Sequence, residues 1–411
     1  MTPARDSGHA QRRPGRRLRY AVTALVAGAL AATPPVADAA PGGKAHRAPV
    51  SLATGAAADP QGRIWTVALD DSGRLCLRHS ADTGANWSAP HCPDIGGGTV
   101  AVSGDSRPKI AFAPNGREAA IAWTRPLARP YTGEVRMLRS RDGGRSWSQP
   151  FTVHADRQVI AHRFEAIAFD AAGNLHVWWI DKRDVEGTRE PGASVFRSVA
   201  LAGESAFGPD TRVARRSCEC CRIALVPDEA ADRQPGVAAL WRHVFEGSER
   251  DHAFARAGVD LAQPVQVARA TIERWRLEAC PHHGPGLARA AAGGYHAVWF
   301  TVHEGEPMVR HGRLDLQGRP SSEPRTLPDP QAEHADIAAV GPRVAIAWRS
   351  FDGQRTRLRA LVSIDDGATF TLRELATTTG AGDQPKVLAT GGQLVVVWRT
   401  EQEIRIERID H

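Results

Sequence analysis

The chain of 411 residues predicts an all-β fold, a β-propeller of seven blades with six as the alternative. Three observations carry this reading. A β-hairpin pattern recurs seven times, a second turn motif repeats inside the same frame, and no Pro/Ser-rich break divides the chain after its N-terminal segment.

Residues 1–39 read as an export signal. Arg12, Arg13, Arg16, Arg17 and Arg19 form a basic leader, YAVTALVAGALAA is a short apolar core, and Ala37-Asp38-Ala39 gives a cleavage site of small residues. The core is shorter than the roughly 20 residues that span a bilayer. The expected compartment is therefore periplasmic or secreted, with no membrane insertion. The leader carries +4 of the formal charge of +6, which leaves the mature chain near +2. A nucleic-acid-binding domain keeps its positive charge in the folded part, so that class is disfavoured. Residues 40–50 read as a linker, and 51–411 as a single propeller domain.

FEAIAFDAAGNLHVWWID (164–181) holds two short apolar runs around a Gly-containing turn, which is a β-hairpin signature. The pattern returns as PKIAFAPNGREAAIAW (108–123), RIALVPDEAADRQPGVAALW (222–241), PGLARAAAGGYHAVWF (285–300), ADIAAVGPRVAIAW (335–348) and PKVLATGGQLVVVW (385–398). TGAAADPQGRIWTVAL (54–69) is a looser copy. The spacing of roughly 50 to 60 residues holds four strands and their turns, and a propeller closes such units without exposed edges. The last unit supplies three strands, so APVSLA (48–53) is expected to add its fourth.

SADTGANW (80–87), SRDGGRSW (140–147) and SIDDGATF (363–370) share the pattern S-x-D-x-G-x-x-W/F. The Asp side chain satisfies turn backbone, the Gly takes positive φ, and the aromatic anchors the next strand. These segments resemble the Asp-boxes of the sialidase-like, BNR-repeat propellers. The resemblance implies a box between the third and fourth strands of a blade and says little about activity.

Of six cysteines, Cys76 and Cys92 each lie eight residues from Gly84 at the first box. They face each other across a regular hairpin, and a structural disulfide is expected.

RRSCECCRIALVPD (215–228) and ACPHHGPGLARA (279–290) precede the inner strands of consecutive units, and Cys221 and Cys280 are 59 residues apart. Both loops therefore belong at one channel mouth. Cys218, Cys220, Cys221, Cys280, His282 and His283 are the candidate ligands of a soft metal, most simply copper, with zinc as the alternative. Arg215, Arg216 and Arg222 are expected to favour the thiolates. Two disulfides among the four cysteines are the competing reading.

The same alignment brings His162, Arg163, Glu165, Arg222, Arg242, His243, His303, His334, Arg349 and Arg399 to the mouth, with Arg107, Arg125, Asp181, Arg183, Glu304, Asp336, Asp383 and Lys386. The leading expectation is an exported propeller that handles a soft metal or carries out a copper-dependent redox step. An exo-sialidase-like glycoside hydrolase is the alternative. Resemblance to sialidases implies a three-arginine clamp on a substrate carboxylate, which Arg242, Arg349 and Arg399 would supply. The Phe-Arg-Ile-Pro motif of sialidases is absent, and Tyr20, Tyr131 and Tyr295 offer no evident nucleophile. The third alternative is a non-catalytic propeller that binds a protein or glycan.

Overall fold

Residues 52–409, apart from 103, 190 and 230–233, are described by the computed structural model. The leader and linker lie outside the described residues. Seven antiparallel sheets succeed one another along the chain. Their inner strands are Gly55–Ala58, Lys109–Phe112, His162–Phe169, Ala224–Glu229, Gly286–Arg289, Glu333–Val340 and Lys386–Thr390. Each inner strand packs beside the next, and the first packs against the seventh, so the sheets close into a seven-bladed propeller.

The second strand of each blade is deeply buried because its two faces meet neighbouring blades. Leu175–Asp181 is buried at every position, and Gly236 to Arg242 likewise. Each second strand carries a large indole: Trp65, Trp123, Trp178 with Trp179, Trp241, Trp299, Trp348 and Trp398 are all buried. Alanines beside them allow the close approach of adjacent sheets, as Ala345 and Ala347 do in blade six. Truncating one such Trp would cost about 3 to 5 kcal/mol.

The Asp-box repeat has one geometry in three blades. Ser80 Oγ donates to Asp82 Oδ1 at 2.8 Å, Gly84 N donates to Ser80 Oγ at 2.8 Å, and Asn86 N donates to Asp82 Oδ1 at 2.8 Å. Ser140, Asp142 and Gly144 repeat this in blade two, and Ser363, Asp365 and Gly367 in blade six. In blades two and six the box links the third strand to the fourth.

The outer edge of blade one carries only the Leu77↔His91 bridge, and Cys76 and Cys92 form the expected disulfide there. Blade seven has three strands, ending with Ile404–Arg408. Of the segment expected to supply its fourth, residues 48–51 lie outside the described residues, and Leu52 and Ala53 are buried but belong to no strand. The seam between blades seven and one is instead bridged by side chains: Thr390 Oγ1 donates to the Gly62 carbonyl at 3.2 Å, and Arg408 Nη2 to Thr83 Oγ1 at 2.8 Å.

Candidate metal centre

Antiparallel order places the loop before every inner strand at one end of the propeller. The loop from blade three into blade four carries Cys218, Cys220 and Cys221, and the loop into blade five carries Cys280. The sulfurs of Cys218, Cys220 and Cys280 lie within 4.8 Å of one another. Cys218 Sγ is 3.7 Å from Cys220 Sγ and 3.5 Å from Cys221 Sγ. All four are free thiols; Cys218, Cys220 and Cys221 are buried and Cys280 is exposed. A metal bound by sulfurs at about 2.3 Å spaces them by roughly 3.8 to 4.0 Å in tetrahedral or trigonal geometry. The observed separations are much longer than a bond of about 2.05 Å between sulfurs and slightly shorter than that metal-bridged spacing.

The cluster shares protons unevenly. Neighbouring thiols of Cys220, Cys221 and Cys280, and then Arg242, favour the Cys218 thiolate and hold its pKa well below the usual thiol value. Cys220 is raised by its contact with Cys218, Cys221 is raised first by burial, and Cys280 is pushed up to about 11 by Cys218. One thiolate supported by S–H donors is a receptive arrangement for a soft cation.

Arg242 acts on the sulfurs of Cys218 and Cys221, and Arg163 is charge-coupled to Cys220; the sequence had pointed to Arg215, Arg216 and Arg222. Arg242 is almost fully buried. Its carbonyl accepts from Cys218 N at 2.9 Å, and its Nη2 donates to the carbonyls of His283 at 3.1 Å and Phe300 at 2.6 Å. Arg216 instead donates to the Phe245 carbonyl. Arg222 turns to Asp105, with Nη1 on Oδ1 at 3.0 Å.

Asp105 comes from the loop between blades one and two and joins the two cysteine loops. Its Oδ2 accepts from Arg222 N at 3.1 Å and from Gly284 N at 2.6 Å. Burial opposes its charge, but Arg222 and His334 hold its pKa below the ordinary carboxylate value. Arg222 also reaches the carbonyls of Pro285 and Ala335. Gly284 is required by this closeness, since a Cβ there would fall 2.7 Å from the Arg222 backbone.

The two histidines expected as ligands are not members of the group of sulfurs that lie within 4.8 Å of one another. His283 is stacked between Phe300 and His334, each 4.2 Å away, and burial lowers its pKa to about 4. His282 is exposed and has φ +56°. His334 Nδ1 is 2.9 Å from Gln384 Nε2. His162 is buried within blade three, stacked on His154 at 3.9 Å. His243 packs on Phe245 at 4.6 Å, and His303 lies 3.6 Å from Glu273.

Arg242, Arg349 and Arg399 do not form an open carboxylate clamp. Arg349 is held by Glu333 at 3.2 Å and by the Gly382 carbonyl, while Arg399 points to the Leu69 carbonyl at 3.4 Å. Other residues assigned to the mouth form ion pairs: Arg107 with Asp383, Lys386 with Asp336, Arg125 with Glu134, and Arg183 with Asp181. Glu165 accepts from Thr124 Oγ1 at 2.7 Å. Arg163 lies over Phe164, and Glu304 has φ +53° in an exposed turn.

Sequence reasoning missed Asp105, Gln384 and Phe300. The available signal for Asp105 was its place just before the second inner strand, equivalent to that of the cysteines.

Fold and boxes define a seven-bladed β-propeller with Asp-boxes. No family model matches the sequence, and no curated protein matches it. Among solved structures, the chain is similar to polysaccharide lyase Uly1, with TM-score 0.53, 10% identity, and coverage of 84% of this chain and 86% of that one. It is also similar to the Hadza microbial sialidase Hz136, with TM-score 0.50, 11% identity and coverage of 83% and 74%. An α-L-arabinanase of Penicillium chrysogenum aligns with TM-score 0.49 and 13% identity over 78% of this chain and 97% of that one. At these identities the likeness concerns the fold.

Proposed function

We propose that this propeller binds a soft transition metal, copper(I) in preference to zinc, through Cys218, Cys220 and Cys280, with Cys221 as a further sulfur donor. The observation that supports it is the gathering of three free sulfurs within 4.8 Å from two separate loops. An all-sulfur donor set favours Cu(I) over harder ions. His282 and His283 are then reserve donors, and Arg242 and Asp105 hold the loops in register. The role is metal handling or a copper-dependent redox step in an exported protein. Export is supported by the leader pattern and the Cys76–Cys92 disulfide. Among the described residues no helix is long and apolar enough to cross a membrane.

The glycoside hydrolase alternative loses ground because its three arginines are spent on backbone carbonyls and Glu333. Native mass spectrometry of the exported protein with thiol counting tests the proposal. One retained Cu per chain with metal-protected thiols is expected. Two disulfides among the four cysteines, with no Cu or Zn taken up after mild reduction, would overturn it.

A further inference from the structure

Of the 52 lysines and arginines in the chain only four are lysines: Lys44, Lys109, Lys182 and Lys386. Arginine stays charged in a protein, whereas a lysine can shed its proton and become a nucleophile. Lys44 lies outside the described residues. Lys182 and Lys386 are held as cations by ion pairs, the first with Glu219 and the second with Asp336 at 2.9 Å. Lys109 has no such partner among the described residues.

Lys109 opens the inner strand of blade two, opposite Ala122, and keeps part of its surface accessible at the channel. Its Nζ donates to the Arg107 carbonyl at 2.7 Å. A neutral amine held in this way still offers one hydrogen and its lone pair. Glu165 stands on the inner strand of blade three, which packs beside that of blade two. It is almost fully buried and is the strongest charged neighbour of Lys109. Its Oε2 accepts from Thr124 Oγ1 at 2.7 Å. Among the described residues neither group forms an ion pair, so amine and acid face one another without closing into a salt bridge.

Their surroundings favour uncharged forms. Burial lowers the Lys109 pKa to about 8; Arg107 and Arg222 act in the same sense, and Glu165 and Asp105 oppose them. Roughly a tenth of the amine is therefore free at pH 7. Burial also raises the Glu165 pKa, against the pull of Lys109, the Thr124 hydroxyl and Arg163. A partly neutral amine beside a carboxyl that keeps its proton more readily than usual is the pairing that condensation with a carbonyl requires.

We propose that Lys109 captures small aldehydes as an imine at the channel, with Glu165 moving the protons. The amine nitrogen adds to the carbonyl carbon, and the C=O electron pair passes to oxygen, which takes the Glu165 proton. The nitrogen returns a proton to the Glu165 carboxylate. That proton then goes to the hydroxyl, which leaves as water while the nitrogen lone pair forms the C=N bond. Loss of the remaining N–H proton to Glu165 restores the acid. The balance is amine plus aldehyde giving imine plus water, with no change of oxidation state. The cysteines take no part, so this site and the metal centre stand or fall separately.

Limited reductive alkylation with acetaldehyde and cyanoborohydride at pH 7, read by peptide mass spectrometry, tests it. Lys109 is expected to be ethylated about tenfold or more faster than Lys386, although Lys386 is the more exposed. Glu165→Gln keeps an oxygen for Thr124 and is expected to slow the Lys109 reaction by about tenfold, with melting curves to show that it is folded. A Glu165 that acted only through its charge would have the opposite effect, because its loss frees more amine. Lys386 labelled as fast as Lys109 in the wild-type protein would overturn the proposal. So would a Lys109 rate that is unchanged or raised in Glu165→Gln.

Discussion

Asp105 and Arg222 meet across 117 residues of chain, and the carboxylate also receives Gly284 N at 2.6 Å. A single acid on the loop between blades one and two therefore ties together the loops that carry Cys218 and Cys280.

Removal of that acid leaves Arg222 largely buried beside an empty space. Asp105→Ala is expected to lower stability by about 3 to 5 kcal/mol, read as a fall in chemical-denaturation midpoint. The gentler Asp105→Asn is expected to fold and to lose about tenfold or more in Cu(I) affinity, measured against a chromophoric Cu(I) chelator. Unchanged affinity in Asp105→Asn would mean that the loops hold their places without it.

Cys280 is the exposed sulfur of the group and belongs to a different loop from the other three. Cys280→Ser is expected to keep the melting temperature within a few degrees and to abolish tight Cu(I) retention. Alkylation followed by mass spectrometry should then find Cys218 and Cys220 unprotected by added Cu(I).

Arg242 gives its hydrogens to the carbonyls of Arg250, His283 and Phe300. Arg242→Met keeps the bulk and removes these donors, so a loss of about 2 to 3 kcal/mol is expected. A clamp residue for a substrate would instead be replaceable with little loss of stability, and denaturant titration separates the two.

The boxes make stability depend on acid. Asp142 and Asp365 have pKa values lowered to about 2, chiefly by hydrogen bonds from Ser146 and Thr369. A carboxylate depressed in the folded state contributes stability fully above its unfolded pKa of about 3.9, and that contribution is lost as pH falls through the folded value. Asp365→Asn is therefore expected to melt below wild type at pH 7 and to converge with it near pH 2. Melting curves across that interval check the sign.

The Cys76–Cys92 bridge spans 16 residues at the outer edge of blade one. Replacing both by Ala is expected to cost about 3 kcal/mol in the chain-entropy picture, with no effect on Cu(I) uptake.

The periodic part of the molecule was legible because it is written in local chemistry. The hairpins, the Ser-Asp-Gly boxes and the Cys76–Cys92 pair all depend on neighbours within about twenty residues, and each appears where its pattern lies. The loop equivalence that joined Cys221 to Cys280 was also readable, since one blade period separates them. What resisted reading were choices of partner. Arg222 selects Asp105 and Arg242 selects the His283 and Phe300 carbonyls, and nothing in the spacing distinguishes two arginines in neighbouring loops. His283 stacks between Phe300 of its own blade and His334 of the next, a choice of neighbours that its spacing from Cys280 does not reveal.

The hub around Asp105 draws on Arg222, Gly284 and Gln384, from the loops leading into blades four, five and seven, and on Ala335 in the inner strand of blade six. Among the described residues, blades one and seven meet through packing and side-chain contacts along a seam without a shared strand. Nothing local can assemble this hub during synthesis: its last member, Gln384, arrives only when six blades have been made. A chain cut short before its sixth blade would thus leave Arg222 without two of its partners, Ala335 and Gln384.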